Sequence, residues 1–245
     1  ARGLWDHQIG DQKTGDFSRH ARYDQHGADV GNDYPRHGGF YIATWAFAYE
    51  KTKDPIFLTA IETLLNHYQQ HRHPVSGAIP AKTHLAPNEV FLWPPSNLSL
   101  SIDLFDAAAR VPDDLAGKMR ASAAEQDDVF LRDNQEVESG GHFVISADSA
   151  TLGHGGEGKG GSRAFADMWA TGYRDWTDAQ IADFCFLRYG QTKRDEYAAL
   201  VRKTAECYAH FLPNLDFPVY PGTLGDVIFL MLNAHTLSGD KRFLE

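Results

Sequence analysis

The sequence has little cysteine, no long apolar run and no cluster of basic residues. Each absence excludes a class of protein or partner. Its two cysteines, Cys185 and Cys207, fall in predicted helices. There we expect free core thiols rather than a disulfide framework, and neither alternative fixes the compartment. No apolar stretch is long enough to span a membrane, so we expect no membrane partner. With 33 acidic and 23 basic residues, the chain lacks the basic surface that a nucleic-acid partner requires.

The most unusual stretch runs from Arg19 to His37 and combines three histidines, three arginines, two tyrosines and three aspartates. It has neither a helical nor a strand period, which predicts a loop. Many titratable side chains in one loop are costly to bury without a polar partner. We interpret the loop as an active-site segment that leads into an aromatic helix. The alternative is a solvated N-terminal arm.

Hydrophobic periodicity and helix-boundary residues predict a mainly helical chain. The predicted helices span residues 39–53, 55–71, 96–110, 113–131, 164–171, 177–190, 193–212 and 223–237. Residues 132–163 interrupt this pattern, because HFVISADSATL favours short strands and GHGGEGKGG favours a glycine-rich loop. We therefore expect one irregular or β-containing insertion in an otherwise all-α fold.

The helices repeat as hairpins. The segment YEKTKDPIFLTAIETLLNHY aligns without gaps on YGQTKRDEYAALVRKTAECY, 140 residues later, and SGDKRFL at 238–244 matches TKDPIFL at 52–58. ARVPDDLAGKM is a weaker copy. In each unit an all-round apolar helix precedes a one-sided helix, so we predict inner helices at 39–53, 96–110, 178–189 and 224–237 that are more buried than their partners.

This pattern resembles the (α/α) toroid of carbohydrate-active enzymes, in which inner helices form a ring that outer helices wrap. The resemblance implies one toroid domain over residues 1–245, with residues 1–37 as a polar loop arm and 132–163 as an insertion. Complete toroids contain more hairpins than we find. Because the chain begins at Ala1 and ends inside an apparent new helix, we expect a partial chain. An open solenoid of binding repeats is the competing architecture.

The resemblance also suggests a polysaccharide lyase that cleaves a uronic-acid-containing glycan by β-elimination. Such an enzyme needs a base and a cation that neutralises the uronate carboxylate. We predict Tyr34, Arg36 and His37 as catalytic residues, because the pair Arg36-His37 is similar to the arginine base and histidine metal ligand of one pectate-lyase family of this fold. The sequence does not establish a cofactor; if the protein binds a divalent metal, His26 and His37 are the candidate ligands. The predicted substrate-binding residues are Arg19, His20, Tyr23, Asp24, Trp45, His142, His154 and Arg174.

Three other functions remain open. A glycoside hydrolase needs two carboxylates, for which the sequence offers Asp24, Asp33, Asp103, Asp148 and Asp175 without singling out a pair. A sugar epimerase on the same fold uses histidines as acid and base, and a helical repeat could bind glycans without cleaving them. For all of these we expect an acidic oligosaccharide or polysaccharide as partner, and a periplasmic or extracellular location.

Overall fold

A computed structural model describes residues 2–3, 35–80, 94–134, 169, 177–210, 212 and 221–244, and for Arg36 only the backbone. Within these ranges the regular secondary structure is helical, with an isolated β-bridge at Pro80 and no strand. The chain divides into two compact units, one formed by residues 1–130 with 147–152 and the other by residues 131–146 with 153–245. Most of the insertion predicted at 132–163, including its candidate strands, lies outside the described residues.

From residue 35 onward, the described part of the first unit contains four helices and a short 3₁₀ turn. Helix α1 spans Pro35–Thr52, α2 spans Ile56–Gln70, α3 spans Pro94–Ala107, the 3₁₀ turn spans Ala108–Arg110, and α4 spans Asp113–Asp133 and continues past the unit boundary. One apolar core joins all four helices, with Trp45, Ile61, Leu104 and Met119 among its buried side chains. Burial of this shared core is the main stabilising contribution in the unit.

The helices of the first unit follow the order that hairpin repeats require. Two contacts join α1 to the segment 94–110: Gly39 lies against Asp103, and Arg110, just after α3, donates to Glu50 at 2.8 Å. Because both pairs advance in the same direction along the chain, α1 and α3 are parallel. Helices α2 and α4 are parallel by the same criterion, through the ion pair of Lys118 with Glu62 at 3.1 Å and that of Arg72 with Glu125.

The second unit contains α5 (Asp178–Thr192), α6 (Asp195–His210), α7 (Pro221–Ser238) and a 3₁₀ turn at Lys241–Leu244. Thr177 caps α5 as predicted, because its hydroxyl accepts a hydrogen bond from the Gln180 N–H at 2.9 Å. Helix α5 packs against both α6 and α7. Cys185 is buried on α5 and Cys207 is half-buried on α6, and they do not form a disulfide with each other.

The predicted hairpin repeat is confirmed at its first closing turn. After α1, Thr52 donates from its hydroxyl to the Ala48 carbonyl at 2.8 Å and accepts from the Asp54 N–H at 3.2 Å. Lys53 takes a left-handed conformation with φ of 58°, and its N–H donates to the Tyr49 carbonyl at 2.8 Å. A left-handed residue at this position ends a helix by satisfying one of its free carbonyls.

The same turn follows α5, as the 140-residue offset predicts. The Thr192 hydroxyl accepts from the N–H of Arg194, the residue before α6, at 3.3 Å. Lys193 has φ of 60°, and its N–H donates to the Tyr189 carbonyl at 2.8 Å. After α7, Ser238 and Gly239 occupy the equivalent positions, and Gly239 supplies the positive φ of 70°. The sequence copies are therefore structural copies.

Two expectations need correction. We predicted that α1 begins at residue 39, but it begins at Pro35, because proline suits the first turn of a helix, where its missing N–H has no partner to lose. Arg36 and His37 therefore belong to the helix rather than to the preceding loop.

The prediction that inner helices are more buried than outer helices is wrong for α1 and α7. Phe40 and Phe47 on α1 are more than half exposed. Helix α7 exposes a larger apolar face, made of Leu224, Ile228, Phe229 and Leu232. An all-round apolar helix is buried only when it has neighbours on every side, and the described neighbours of α1 and α7 cover part of each. No helix in the described ranges has both the length and the apolar composition to cross a bilayer.

Candidate acid site at the start of helix α1

The structure describes one side chain of the predicted catalytic set. His37 lies half-buried in the first turn of α1, and Arg36 contributes its backbone to the same turn. Tyr34 and the Arg36 side chain lie outside the described residues. So do the predicted substrate and metal residues Arg19, His20, Tyr23, Asp24, His26, His142, His154 and Arg174. Their convergence on one face stays a prediction.

Trp45, the remaining predicted substrate contact, is completely buried. Its ring centroid lies 6.0 Å from that of Tyr41, and it belongs to the apolar core of the first unit. The indole thus packs against protein, and the structure offers it no contact with a substrate. Trp169 also packs against protein, because its ring lies edge-on to that of Tyr208 with 5.2 Å between the ring centroids.

Two glycines directly after His37 bring other helices close to the backbone of α1. A Cβ atom on Gly38 would lie 2.7 Å from Cζ of Tyr68 on α2, and one on Gly39 would lie 3.0 Å from Cβ of Asp103 on α3. Its closest neighbour would be Oδ2 of the same aspartate. The carboxyl of Asp103 therefore occupies the space that any other residue at position 39 would fill.

The surroundings of Asp103 favour its protonated form. Burial raises the pKa of this carboxyl from 3.8 to about 7, and the negative charge of Asp106, one turn later on α3, adds to the rise. Among the described residues, none donates a hydrogen bond or an ion pair to Asp103 that would favour the ionised form. Such a carboxyl holds a proton near neutral pH, as a general acid must. Asp103 was one of five candidate carboxylates in the sequence, and the other four, Asp24, Asp33, Asp148 and Asp175, lie outside the described residues.

A second pair of carboxylates lies in the second unit, between the parallel helices α5 and α7. Asp183 accepts from the Asn233 amide at 2.9 Å, and Asp226 accepts from the Thr177 hydroxyl at 3.0 Å. The pKa of Asp183 is raised to about 7, and burial is the largest cause. The hydrogen bond from Asn233 lowers this pKa, and the nearby charge of Asp226 makes a smaller contribution to the rise. Burial also raises the pKa of Asp226.

Neither carboxylate of this second pair was predicted from the sequence. One signal was present: Asp183 interrupts an otherwise apolar stretch, IADFCF, of a predicted inner helix. Asp226 and Asn233 are also seven residues apart and so share one face of α7. Neither signal identifies which helix faces the other, so the pairing of Asp183 with Asp226 needed the structure.

No three His, Cys, Asp or Glu side chains of the described part come together as a metal site. Of the two predicted ligands, His37 is described and His26 is not. A requirement for a divalent metal stays a prediction.

The repeated hairpins, with parallel first helices and short closing turns, define the class of fold as an all-α structure of the (α/α) toroid type. No protein-family model and no curated protein matches the sequence. A solved structure does match: that of a GH76 α-mannanase from Bacteroides thetaiotaomicron, with a TM-score of 0.52 and 11% sequence identity. The match covers 86% of this chain and 54% of the mannanase chain, so this chain spans about half the length of that protein. At this identity the likeness shows the fold alone.

Proposed function

We propose that this protein is a carbohydrate-active enzyme that hydrolyses glycosidic bonds, with Asp103 as the acid that protonates the departing sugar oxygen. The observation that carries the proposal is the Asp103 carboxyl, which lies against the first turns of α1 with no donor among the described residues. Its pKa of about 7 matches the requirement that a glycosidase acid be protonated at working pH. The toroid fold, which a mannanase shares, supports a glycan as substrate.

Glycoside hydrolysis also needs an ionised carboxylate beside the acid, as base or nucleophile. Asp106 is exposed on the next turn of α3, and its charge already acts on Asp103. We assign the acid role to Asp103 and the role of base or nucleophile to Asp106.

The polysaccharide lyase predicted from the sequence is the second candidate. One observation favours it: His37 lies in the first turn of α1, within two residues of the glycine that contacts Asp103. The positive end of this helix would stabilise the anion that forms when a uronate loses its proton. In that reaction His37, Arg36 or Tyr34 takes the proton and Asp103 protonates the leaving group.

One assay separates these candidates. The purified protein is incubated with a neutral α-mannan and with homogalacturonan, and both reducing ends and absorbance at 235 nm are recorded. Reducing ends without the absorbance identify a hydrolase, and reducing ends with it identify a lyase. A protein that binds either polymer but gives neither signal would be a glycan-binding module, and the enzymatic proposal would be wrong.

The Asp103→Asn variant tests the assigned residue. It keeps the shape of the side chain but has no acidic proton, so we expect cleavage to fall by about 100-fold or more. The far-ultraviolet circular dichroism should be unchanged. A folded variant with wild-type activity would remove Asp103 from the mechanism. Action on a polymeric glycan would also agree with the periplasmic or extracellular location that we propose.

A further inference from the structure

Gly38 and Gly39 occupy neighbouring positions of α1, but they face different partners. A side chain at position 38 would meet the ring of Tyr68, whereas one at position 39 would meet Cβ, Cγ and Oδ2 of Asp103. Neither glycine has a positive φ. Their backbone conformation therefore suits any residue, and the space around them is what requires glycine.

We infer that Gly39 is the positioning residue for Asp103, because its missing Cβ creates the slot in which the carboxyl group lies. The backbone of α1 then covers one side of the carboxyl and keeps water away from it. The other side remains open, since Asp103 is half-buried rather than fully buried. The role of Gly39 in catalysis rests on the proposed function, whereas the contact between Gly39 and the Asp103 carboxyl does not.

The slot accounts for the electrostatic state of the acid. Desolvation is the largest cause of the raised pKa of Asp103, and the backbone at Gly39 is in direct contact with the carboxyl. Of the titratable groups near this point, His37 on α1, Tyr68 on α2 and Asp106 on α3, Asp106 is the one whose charge adds to the rise. Removing the slot would thus restore water to the carboxyl and leave the smaller effect of Asp106 in place.

A different account would make Gly39 a packing residue that only allows α1 and α3 to approach. The two accounts differ in what a methyl group at position 39 changes. If Gly39 is only a packing residue, a methyl group there should lower the stability of the protein and leave the pKa of Asp103 unchanged. The slot predicts that the methyl group moves the carboxyl into water and makes it a stronger acid.

The test is the Gly39→Ala variant, with the pKa of Asp103 measured by carbon-13 NMR of its carboxyl group across a pH titration. We expect the pKa to fall by about two units or more, since desolvation is lost. At pH 7 we expect the rate of glycan cleavage to fall about 10-fold or more, because the acid is then largely ionised. The acid limb of the pH–rate profile should move down with the pKa.

Two control variants separate this effect from general changes in the helices. Gly117→Ala makes the same change in α4, where a Cβ would have no neighbour within 4 Å, and it should leave the pKa of Asp103 and the activity unchanged. Gly38→Ala disturbs α1 against Tyr68 and should lower stability without lowering the pKa of Asp103 by two units.

If Gly39→Ala does not fold, Asp103→Glu provides the second test without changing α1. Its longer side chain moves the carboxyl out of the slot, so the new carboxyl should titrate within about one unit of an ordinary glutamate. A folded Gly39→Ala variant that keeps a pKa near 7, or an Asp103→Glu carboxyl that titrates near 7, would overturn the inference. If Gly39→Ala shifts the pKa but Asp103→Asn cleaves glycans normally, the slot stands and the proposed function fails.

Discussion

A carboxyl that is held protonated by burial should cost the protein stability once it ionises. The pKa of Asp103 is about 7 in the folded protein against 3.8 for an ordinary aspartate. The folded state therefore keeps a proton that the unfolded state releases between these two values, and stability falls as pH rises through this window. Above pH 7 both states are ionised and the loss is complete.

The shift sets the size of this loss. A rise from 3.8 to about 7 corresponds to a ceiling of about 4 kcal/mol at 1.36 kcal/mol for each pKa unit. Asp103 keeps some contact with water, and the positive end of α1 favours the ionised form by up to about 1 kcal/mol. We therefore expect a loss of about 2 kcal/mol after discounting for solvent screening.

The Asp103→Asn variant removes this ionisation while keeping a neutral side chain of similar shape. At pH 4 we expect its free energy of unfolding to match that of the wild type within about 0.5 kcal/mol, and at pH 8 to exceed it by about 2 kcal/mol. Urea unfolding at pH 4, 5, 6, 7 and 8 measures both values. Groups such as Asp183 titrate in both proteins and cancel in the difference.

The matched control is Asp106→Asn, which removes one negative charge from an exposed position on the same helix. Its difference from the wild type should stay below about 0.5 kcal/mol at pH 8, since exposed charges contribute little. Equal pH dependence in the Asp103→Asn variant and the wild type would refute the reasoning. It would mean that Asp103 is already ionised at low pH and is not a candidate acid.

Three further predictions concern other contacts. Replacing Thr177 by valine removes the cap of α5 and should lower the free energy of unfolding in urea by about 1 kcal/mol; serine, which keeps the hydroxyl, should restore most of it, and equal stability of the two variants would contradict a capping role. Asp226→Asn removes a charge that raises the pKa of Asp183, so carbon-13 titration should show that pKa falling; an unchanged value would mean that the two carboxyls do not interact. Asn97→Ala breaks the buried hydrogen bonds of Asn97 to the N–H and the carbonyl of Ile79, at 2.9 and 3.2 Å, and should lower the free energy of unfolding in urea by about 2–3 kcal/mol. A decrease below about 0.5 kcal/mol would show that water replaces the amide.

Local patterns in the sequence were sufficient to predict the hairpins. The start of α5 at Thr177 and the copied turns at Lys53 and Lys193 depend on residues two to four positions apart, and such short-range chemistry is visible in a sequence. Pro35 also indicated the start of a helix, but the polar side chains around it favoured a loop. There the preference of proline for the first turn of a helix outweighed the absence of a helical period.

The candidate site depends on contacts that local patterns do not encode. Asp103 and Gly39 are 64 positions apart, and no period in the sequence indicates that they touch. The same is true of Asp183 and Asn233, which meet because α5 and α7 lie side by side. Burial of α1 and α7 was misjudged for a related reason, since composition indicates that a helix needs apolar neighbours but not where the chain supplies them.

The copied turns also bear on how the chain folds. Their bonds join residues no more than four positions apart, such as Lys53 to Tyr49 and Lys193 to Tyr189, so closing a hairpin requires little loop entropy. Proteins dominated by such local contacts fold quickly. Each hairpin is therefore expected to form early, before distant contacts such as that of Gly39 with Asp103. Substitutions in the turns should change the rate of folding, whereas substitutions in the acid site should mainly change the rate of unfolding.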